Sequence, residues 1–482
     1  MNYSKGLLCK MKLRKWQSEC VSAVLNKFSK DKKHFLCLAT PGAGKTTMAA
    51  EVVAKLFDED LIDFVLCFSP GKSISQDIQL TLEARTSQRF DGVIGAKGKS
   101  YTYQSMPTLD DKIWELLREY RVFVIFDEIH HCSGTSPEDA NAWGEGIIIN
   151  IKHQAAYTLA LTGTPWRSDN TPIALAEYQE SDSHIICDYV YGLADAVQDG
   201  VCRKPQIVVT DNNDVSIDEA DGIKRSFGSF SELLEETPCR YQKIVENKTV
   251  IRHIISQANT KLIEIRKQNP SAGGLVVATS VGHATNILSI LQNELNVSAV
   301  IATYREDEPT TIIQDFKKSS ISWIVSVGMI SEGTNIPRLQ VCCHLTRIKT
   351  ELLFRQILGR ILRMTHTVNQ EACLFMAAEK TLVEFAYRVA EDIPEEKAVV
   401  FFEKSKTAIQ IDCSDEIPEI GRGESGEVCY DISIGKSNED QNIEALPPPT
   451  QPSLLTQTYE ATLNVFGRFQ QDILAVNLSP FD

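Results

Sequence analysis

The sequence predicts an α/β protein built from two doubly wound, mainly parallel sheets. Three observations carry that reading. In the first third, the short apolar runs "HFLCLAT", "FVLCFSP", "VFVIFDE" and "YTLALTGTP" alternate with helical patterns such as Thr46–Phe57. Later in the chain a second set recurs: "GGLVVATS", "VSAVIAT", "SWIVSVGM", "VCCHLT" and "EACLFMAA". Each run is continuous rather than alternating, which is the mark of a strand buried on both faces. Strands alternating with helices imply parallel sheets whose functional loops lie at the carboxyl ends of the strands.

The elements divide the 482 residues into four stretches. Residues 1–200 form the first sheet domain. Residues 201–270 open the second at "RKPQIVVT" (Arg203–Thr210), followed by an acidic loop at Asp211–Asp221 and helices from about Ser229 to Gln268. Residues 271–405 complete the second domain, with helices at "TELLFRQILGRILRM" and Thr381–Val389. Residues 406–482 change character: acidic from Asp412 to Glu444, then broken by "ALPPPTQPS". Such composition reads as extended or disordered. Beyond it Leu455, Tyr459, Leu463, Phe466 and Ile473 fall at roughly helical spacing, so a C-terminal amphipathic helix is expected. It would pack on its own domain or dock a protein partner.

The net charge of −15, from 49 basic and 64 acidic residues, excludes a basic coat protein. It leaves room for a confined basic groove. No apolar run approaches the roughly 18–20 residues of a membrane span. The N-terminus "MNYSKGLLCKMKLRKWQ" lacks the apolar stretch of a secretory signal, so a cytoplasmic protein with no membrane partner is expected. The 13 cysteines include no C-x-x-C and sit mostly in apolar runs (Cys37, Cys67, Cys342, Cys373), as reduced core thiols do.

"ATPGAGKTT" (Ala39–Thr47) follows the strand "HFLCL" and opens a helix. It matches the phosphate-loop pattern G-x-x-x-x-G-K-[ST], with Ala39 at the first glycine position. Backbone N–H groups of Thr40, Pro41–Gly44 and the helix start would surround phosphate, proline lacking the donor. Lys45 should meet the β- and γ-phosphates, Thr46 should ligate Mg2+, and Thr47 completes the loop.

"VFVIFDEIHHC" (Val122–Cys132) ends a buried strand in an acidic pair, two histidines and a cysteine. A nucleotide hydrolase needs a strand-end acid to hold Mg2+, a role that fits Asp127. Glu128 would then sit by the γ-phosphate and position or deprotonate water. A zinc cage needs ligands in tetrahedral reach. Consecutive residues leaving a strand point to opposite faces, so these five cannot converge on one ion. His131 and Cys132 are expected to be structural. Trp143 and Trp166 are core aromatics or surfaces near a bound strand.

These segments resemble the motifs of superfamily 2 helicases and translocases of the DEAD/DEAH type. "LRKWQ" is similar to the adenine-reading segment, which would give Gln17 that role. "TYQSM" resembles a strand-contacting motif, "LTGTPWR" the third motif, "VSVGMISEGTNIP" the fifth and "FRQILGRILR" the sixth. The likeness covers about residues 10–390, and its flavour is that of the restriction-type DNA motors. It implies two RecA-like domains with ATP in the cleft between them. Gln356, Arg360 and Arg363 would reach that cleft from the second domain, and their spacing puts them on one helix face. Gly333 and Asn335 would touch nucleotide from motif five, where the family usually has an acid at the Asn335 position. Asn335 can hydrogen-bond but cannot carry charge. His130, Thr162 and Thr164 would couple the site to the bound strand, and Thr102, Gln104, Thr334 and Arg305 would contact it. The implied activity is ATP-dependent movement on nucleic acid, DNA before RNA, in repair, recombination or defence. An RNA helicase, or a motor subunit working inside a complex, is the alternative.

Overall fold

The computed structural model describes residues 12–390 and 461–475, apart from 166, 168, 170, 180–184, 220–223, 329, 331–333 and 366. In chain order the first sheet contains β1 (His34–Ala39), β2 (Phe64–Ser69), β3 (Gly98–Thr102), β4 (Val122–Asp127) and β5 (Tyr157–Thr162). The short pair β6 (Glu177–Tyr178) and β7 (Ile185–Ile186) follows, then β8 (Tyr189–Tyr191), which returns to the first sheet. The sheet order is β3-β2-β4-β5-β1-β8, and every pairing is parallel. β4 is buried along its whole length, as its unbroken apolar run requires.

The second sheet starts with β9 (Pro205–Asn212). Then come β10 (Val215–Glu219) and β11 (Lys224–Phe227), followed by β12 (Gly273–Ala278), β13 (Ala299–Ala302), β14 (Trp323–Ser326), β15 (Leu339–Leu345) and β16 (Ala372–Ala377). Two strands from the far end of the chain, β17 (Ala461–Val465) and β18 (Phe469–Ala475), complete the set. The large sheet runs β13-β14-β12-β15-β16-β9-β18, parallel except at β18, and β11-β10-β17 form a small antiparallel sheet. The expected pair of RecA-like α/β domains is therefore present. β1, β4 and β5 pair in parallel, so their carboxyl ends at Ala39, Asp127 and Thr162 lie along one edge of the first sheet.

Four expectations need correction. β3 was not foreseen, because "GKSYT" has no apolar run and is half-buried throughout, as suits the sheet's edge. The acidic segment Asp211–Asp221 is, over its described part, the end of β9 and the strand β10 and not a loop, because alternating Val215 and Ile217 are both 0% exposed. The C-terminal amphipathic helix is replaced, at the residues described, by the β17–β18 pair. Leu463, Phe466 and Ile473 sit on this pair, where the open edges of β9 and β10 supply backbone partners no helix could use. Leu455, Tyr459 and the acidic tail lie outside the described residues. Finally, Arg363 is not on the Gln356–Arg360 helix face. That helix ends at Ile361, and Arg363 instead makes an isolated bridge to Cys202.

Candidate active site

The loop Thr40–Gly44 turns between β1 and the helix Lys45–Asp58. Gly42 and Gly44 hold φ of 86° and 95°, the left-handed region that glycine enters without penalty. Gly44 is also crowded: a Cβ there would stand 2.8 Å from the Gln17 amide nitrogen. Ala43 and Lys45 are buried, Thr46 and Thr47 half-buried at the first turn of the helix. The Lys45 ammonium donates to the Ala39 carbonyl at 3.0 Å and pairs with Glu128 at 3.3 Å.

Glu128 departs from β4 with φ of 53° and ψ of 55°. A non-glycine residue in that region is uncommon, and the conformation costs about 1–2 kcal/mol. Its carboxylate is held from three sides: Lys45, the Gly163 N–H at 3.1 Å and His130 Nδ1 at 3.5 Å. Asp127 is buried beside it. Burial first, and the Glu128 charge second, push the Asp127 carboxyl up to about 7, while Lys45 and His131 pull the other way. A carboxylate so placed gains from any added cation. With the Thr46 hydroxyl it offers oxygen donors alone, which suits Mg2+ completed by phosphate and water. Among the described residues no group of three or more His, Cys, Asp or Glu is placed to hold a metal ion by itself.

His130 is 2% exposed and reaches Thr162 Oγ1 at 2.9 Å and Thr164 Oγ1 at 3.5 Å. Thr162 Oγ1 in turn donates to the Thr164 carbonyl at 2.8 Å and accepts from its N–H at 3.0 Å. All three side chains are buried, so these contacts form an internal network. Thr102 and Thr334 are half-buried, and Gln104, Arg305 and Asn335 exposed.

From the second sheet the helix Glu351–Ile361 lies against the loop. A Cβ on Gly359 would meet Pro41 at 2.8 Å, and one on Gly42 would meet the Arg363 side chain at 3.1 Å. Arg360 donates to the Thr334 carbonyl at 2.8 Å, and Arg363 donates to Asn335 Oδ1. Desolvation, with the Arg360 charge adding, pulls the Arg363 guanidinium down to about 9. Gln356 is buried on the same helix. Gly333 and Trp166 lie outside the described residues.

Gln17 lies beside the phosphate loop, at the start of the first helix. Its amide nitrogen donates to the Gly44 carbonyl at 2.9 Å, and its oxygen accepts from the Arg14 N–H at 2.8 Å. The nitrogen braces the loop, and the oxygen caps the helix Lys15–Phe28. Three further residues escaped sequence reasoning. Arg14 Nη1 donates to the Ala43 carbonyl at 2.6 Å, Arg167 Nη1 to the His130 carbonyl at 2.5 Å, and the Tyr103 hydroxyl to the Asp127 carbonyl at 2.9 Å. Each sits inside a motif already singled out, one to three residues from a flagged position, and that adjacency was the available signal.

Residues 10–167, spanning the loop, the acidic pair and the His130–Thr162–Thr164 network, match the family model described as the type III restriction enzyme, res subunit. Residues 257–365, carrying Asn335, Gln356, Arg360 and Arg363, match the helicase conserved C-terminal domain. The chain belongs to superfamily 2, in the restriction-type motor group. As a superfamily 2 chain it is a member of a family of ATP-dependent nucleic-acid motors. It is 29% identical over 398 residues to an uncharacterized protein of Mycobacterium leprae, covering 78% of this chain and 63% of that one. It is 23% identical to the DNA 3'-5' translocase XPB2 of Sulfurisphaera tokodaii, covering 78% and 83% respectively. The chain thus spans less than two thirds of the length of its mycobacterial relatives. The fold matches a fragment described as an HsdR subunit of a type I restriction enzyme from Vibrio vulnificus, with a TM-score of 0.53 at 16% identity, over 80% of this chain and 69% of that one. No helix among the described residues is long and apolar enough to cross a membrane.

Proposed function

We propose that the chain hydrolyses ATP between its two domains and uses the cycle to move on nucleic acid, DNA before RNA. The observation that carries this is the seating of Gly359 and Arg363, from one sheet, on Pro41 and Gly42 of the phosphate loop from the other. A site split in this way is completed only when the domains are together.

The roles follow from the chemistry. Phosphate enters the cradle of Thr40–Thr47, and its charge replaces Glu128 as the partner of Lys45. Glu128 is then free to orient and deprotonate water, while Gly163 and His130 keep its carboxylate near. Thr46 and Asp127 would hold Mg2+, which neutralises phosphate charge when bound. Arg360, Arg363 and Gln356 face the transferring group from the second domain. An arginine so placed contributes about 10³–10⁵ in rate. Departure of the cleaved phosphate removes their anionic partner, and the domains separate. His130, Thr162 and Thr164 pass the state of Glu128 toward the strand surface. That surface is formed by Thr102, Gln104, Arg305 and Thr334, in the manner of positioning contacts to a sugar–phosphate backbone. Work in repair, recombination or defence, a cytoplasmic setting, and docking of a partner through the acidic tail belong to the same reading.

The test is ATPase turnover in double-stranded DNA, single-stranded DNA and RNA at low salt. DNA should stimulate most, and the stimulation should fall steeply with salt. Greater stimulation by RNA would replace the DNA reading, and no stimulation by any polymer would sink the motor reading for this chain.

A further inference from the structure

We propose that Tyr103 is a positioning residue for hydrolysis, its hydroxyl fixing the Asp127–Glu128 turn so that the Glu128 carboxylate faces Lys45. The inference rests on the proposed ATPase reading and names a residue that reading does not use.

A buried hydroxyl needs a partner, so a hydrogen bond from Tyr103 is unremarkable by itself. The acceptor is what matters. Tyr103 is 0% exposed, and it donates at 2.9 Å to the carbonyl of Asp127, the last residue of β4. The next residue is Glu128, with φ of 53°. The bond therefore clamps the peptide at which the chain leaves extended geometry for the left-handed region. Such conformations persist only where surrounding structure holds them. The one-turn helix that follows is small: His131 N–H to the Glu128 carbonyl at 3.2 Å, and Cys132 N–H to the Ile129 carbonyl at 2.8 Å. It offers little resistance of its own.

Tyr103 is in turn fixed by packing. Its ring stacks on Trp143 at 5.7 Å, and Trp143 meets the His131 ring edge-on at 6.3 Å. The short turn Tyr103–Thr108 lies directly on the helix Ala142–Asn150, where a Cβ on Gly146 would meet Met106 at 2.7 Å. Asn141 closes the far side, donating to the His131 carbonyl at 2.7 Å. Tyr103 also lies between half-buried Thr102 and exposed Gln104, whose amide is fixed on the Pro70 carbonyl at 3.1 Å. One rigid segment thus presents two polar side chains outward and one hydroxyl inward, to the Glu128 turn. A polymer that orders Thr102 and Gln104 would order the catalytic carboxylate through a single intervening residue.

Tyr103→Phe keeps the ring and its stack on Trp143 and removes the hydroxyl, with its bond to the Asp127 carbonyl and its contact with the Cys132 thiol. In the full chain, DNA-stimulated kcat should fall about tenfold while the KM for ATP stays within about twofold. The His131 and Cys132 amides should exchange with solvent about tenfold faster, with the amides of β2 and β5 unchanged. Wild-type kcat in the variant, or a loss shared equally by kcat and nucleotide affinity, would overturn the assignment. If the wild-type chain shows no turnover at all, the ATPase reading fails on its own account. The exchange measurement then decides separately: unaltered His131 and Cys132 amides reject the clamp, and faster ones uphold it. A variant that unfolds is replaced by Trp143→Phe, which loosens the stack and should speed the same two amides, unchanged rates again rejecting the clamp.

Discussion

Arg363 donates its guanidinium N–H to the side-chain oxygen of Asn335. The family's usual residue at that position is acidic, so the partner here is a neutral amide. The difference has energetic content, because an acid would add the attraction of opposite charges to a bond that the neutral amide accepts without a charge of its own. Arg363 therefore keeps most of its charge available to the phosphate loop it packs on.

Replacing Asn335 with Asp turns this contact into an ion pair in a partly desolvated setting. The pair would add about 1 kcal/mol and hold charge back from the transferring phosphoryl group, slowing stimulated turnover about fivefold. Nucleotide affinity should change less. Steady-state kinetics beside nucleotide titration separates the two, and turnover equal to or faster than wild type would refute the account.

Glu128 has a different predicted signature. Glu128→Gln preserves size and can still accept from the Gly163 N–H, but it loses the charge that pairs with Lys45 and the ability to take a proton. ATP binding should be retained or slightly tighter, with turnover reduced by about 10² or more. Near-normal turnover would remove Glu128 from the chemistry.

His344 gives the fold a pH dependence. Its ring is fully buried in β15, and desolvation, opposed in part by its own backbone, pulls it down to about 4 from 6.5. In the unfolded chain it takes a proton near 6.5, in the folded chain only near 4. The unfolded state therefore binds more protons across that window, and stability falls as pH drops through it. At about pH 5 the loss from this one group is about 2 kcal/mol relative to neutral pH. His344→Leu should flatten denaturant-derived stability between about pH 6.5 and 4. An unchanged slope in the variant would assign the acid sensitivity elsewhere.

What could be read in the sequence was what chemistry dictates locally. Gly42 and Gly44 announce a loop because only glycine takes those torsions cheaply, and Asp127 stands out because an acid ending an apolar strand has few structural uses. Buried strands such as β4 and β15 were legible because burial on both faces demands unbroken apolar runs. The missing information is tertiary. Nothing in "TYQSM" says that Tyr103 bonds the carbonyl of Asp127, 24 positions away. Gln17 and Arg14 brace the phosphate loop through contacts that the sequence brings near only after folding. β17 and β18 looked helical because apolar spacing was judged alone, while the open edges that recruit them belong to strands some 250 residues earlier, as the Asn212–Gly467 contact shows.

Those edges make the last prediction. β18 pairs with β9 from Phe469–Asn212 to Ala475–Gln206, and β17 pairs with β10 from Val465–Val215 to Ala461–Glu219. Between them the Phe466 and Gly467 N–H groups donate to the Asp214 carbonyl, each at 3.0 Å. Phe469 stacks on His253 at 4.0 Å, and Asn247 donates to the Leu463 carbonyl at 3.1 Å. Stopping the chain after Glu460 strips the hydrogen-bonded partner from two strands and exposes Leu463's site. Loss of that burial alone is worth about 1.5–3 kcal/mol. A drop of about 3 kcal/mol lowers the melting temperature of a domain of this size by roughly 6–12 °C. Calorimetry should show the second-domain transition shifting down while the first-domain transition stays in place. His253→Ala, which removes the ring under Phe469 and its contact with the Gln471 amide, should shift the same transition in the same direction by a smaller amount. If the truncated chain melts as the full chain does, the two strands are ornamental to the fold. If both domains shift together, the pairing supports the interdomain cleft rather than the second sheet.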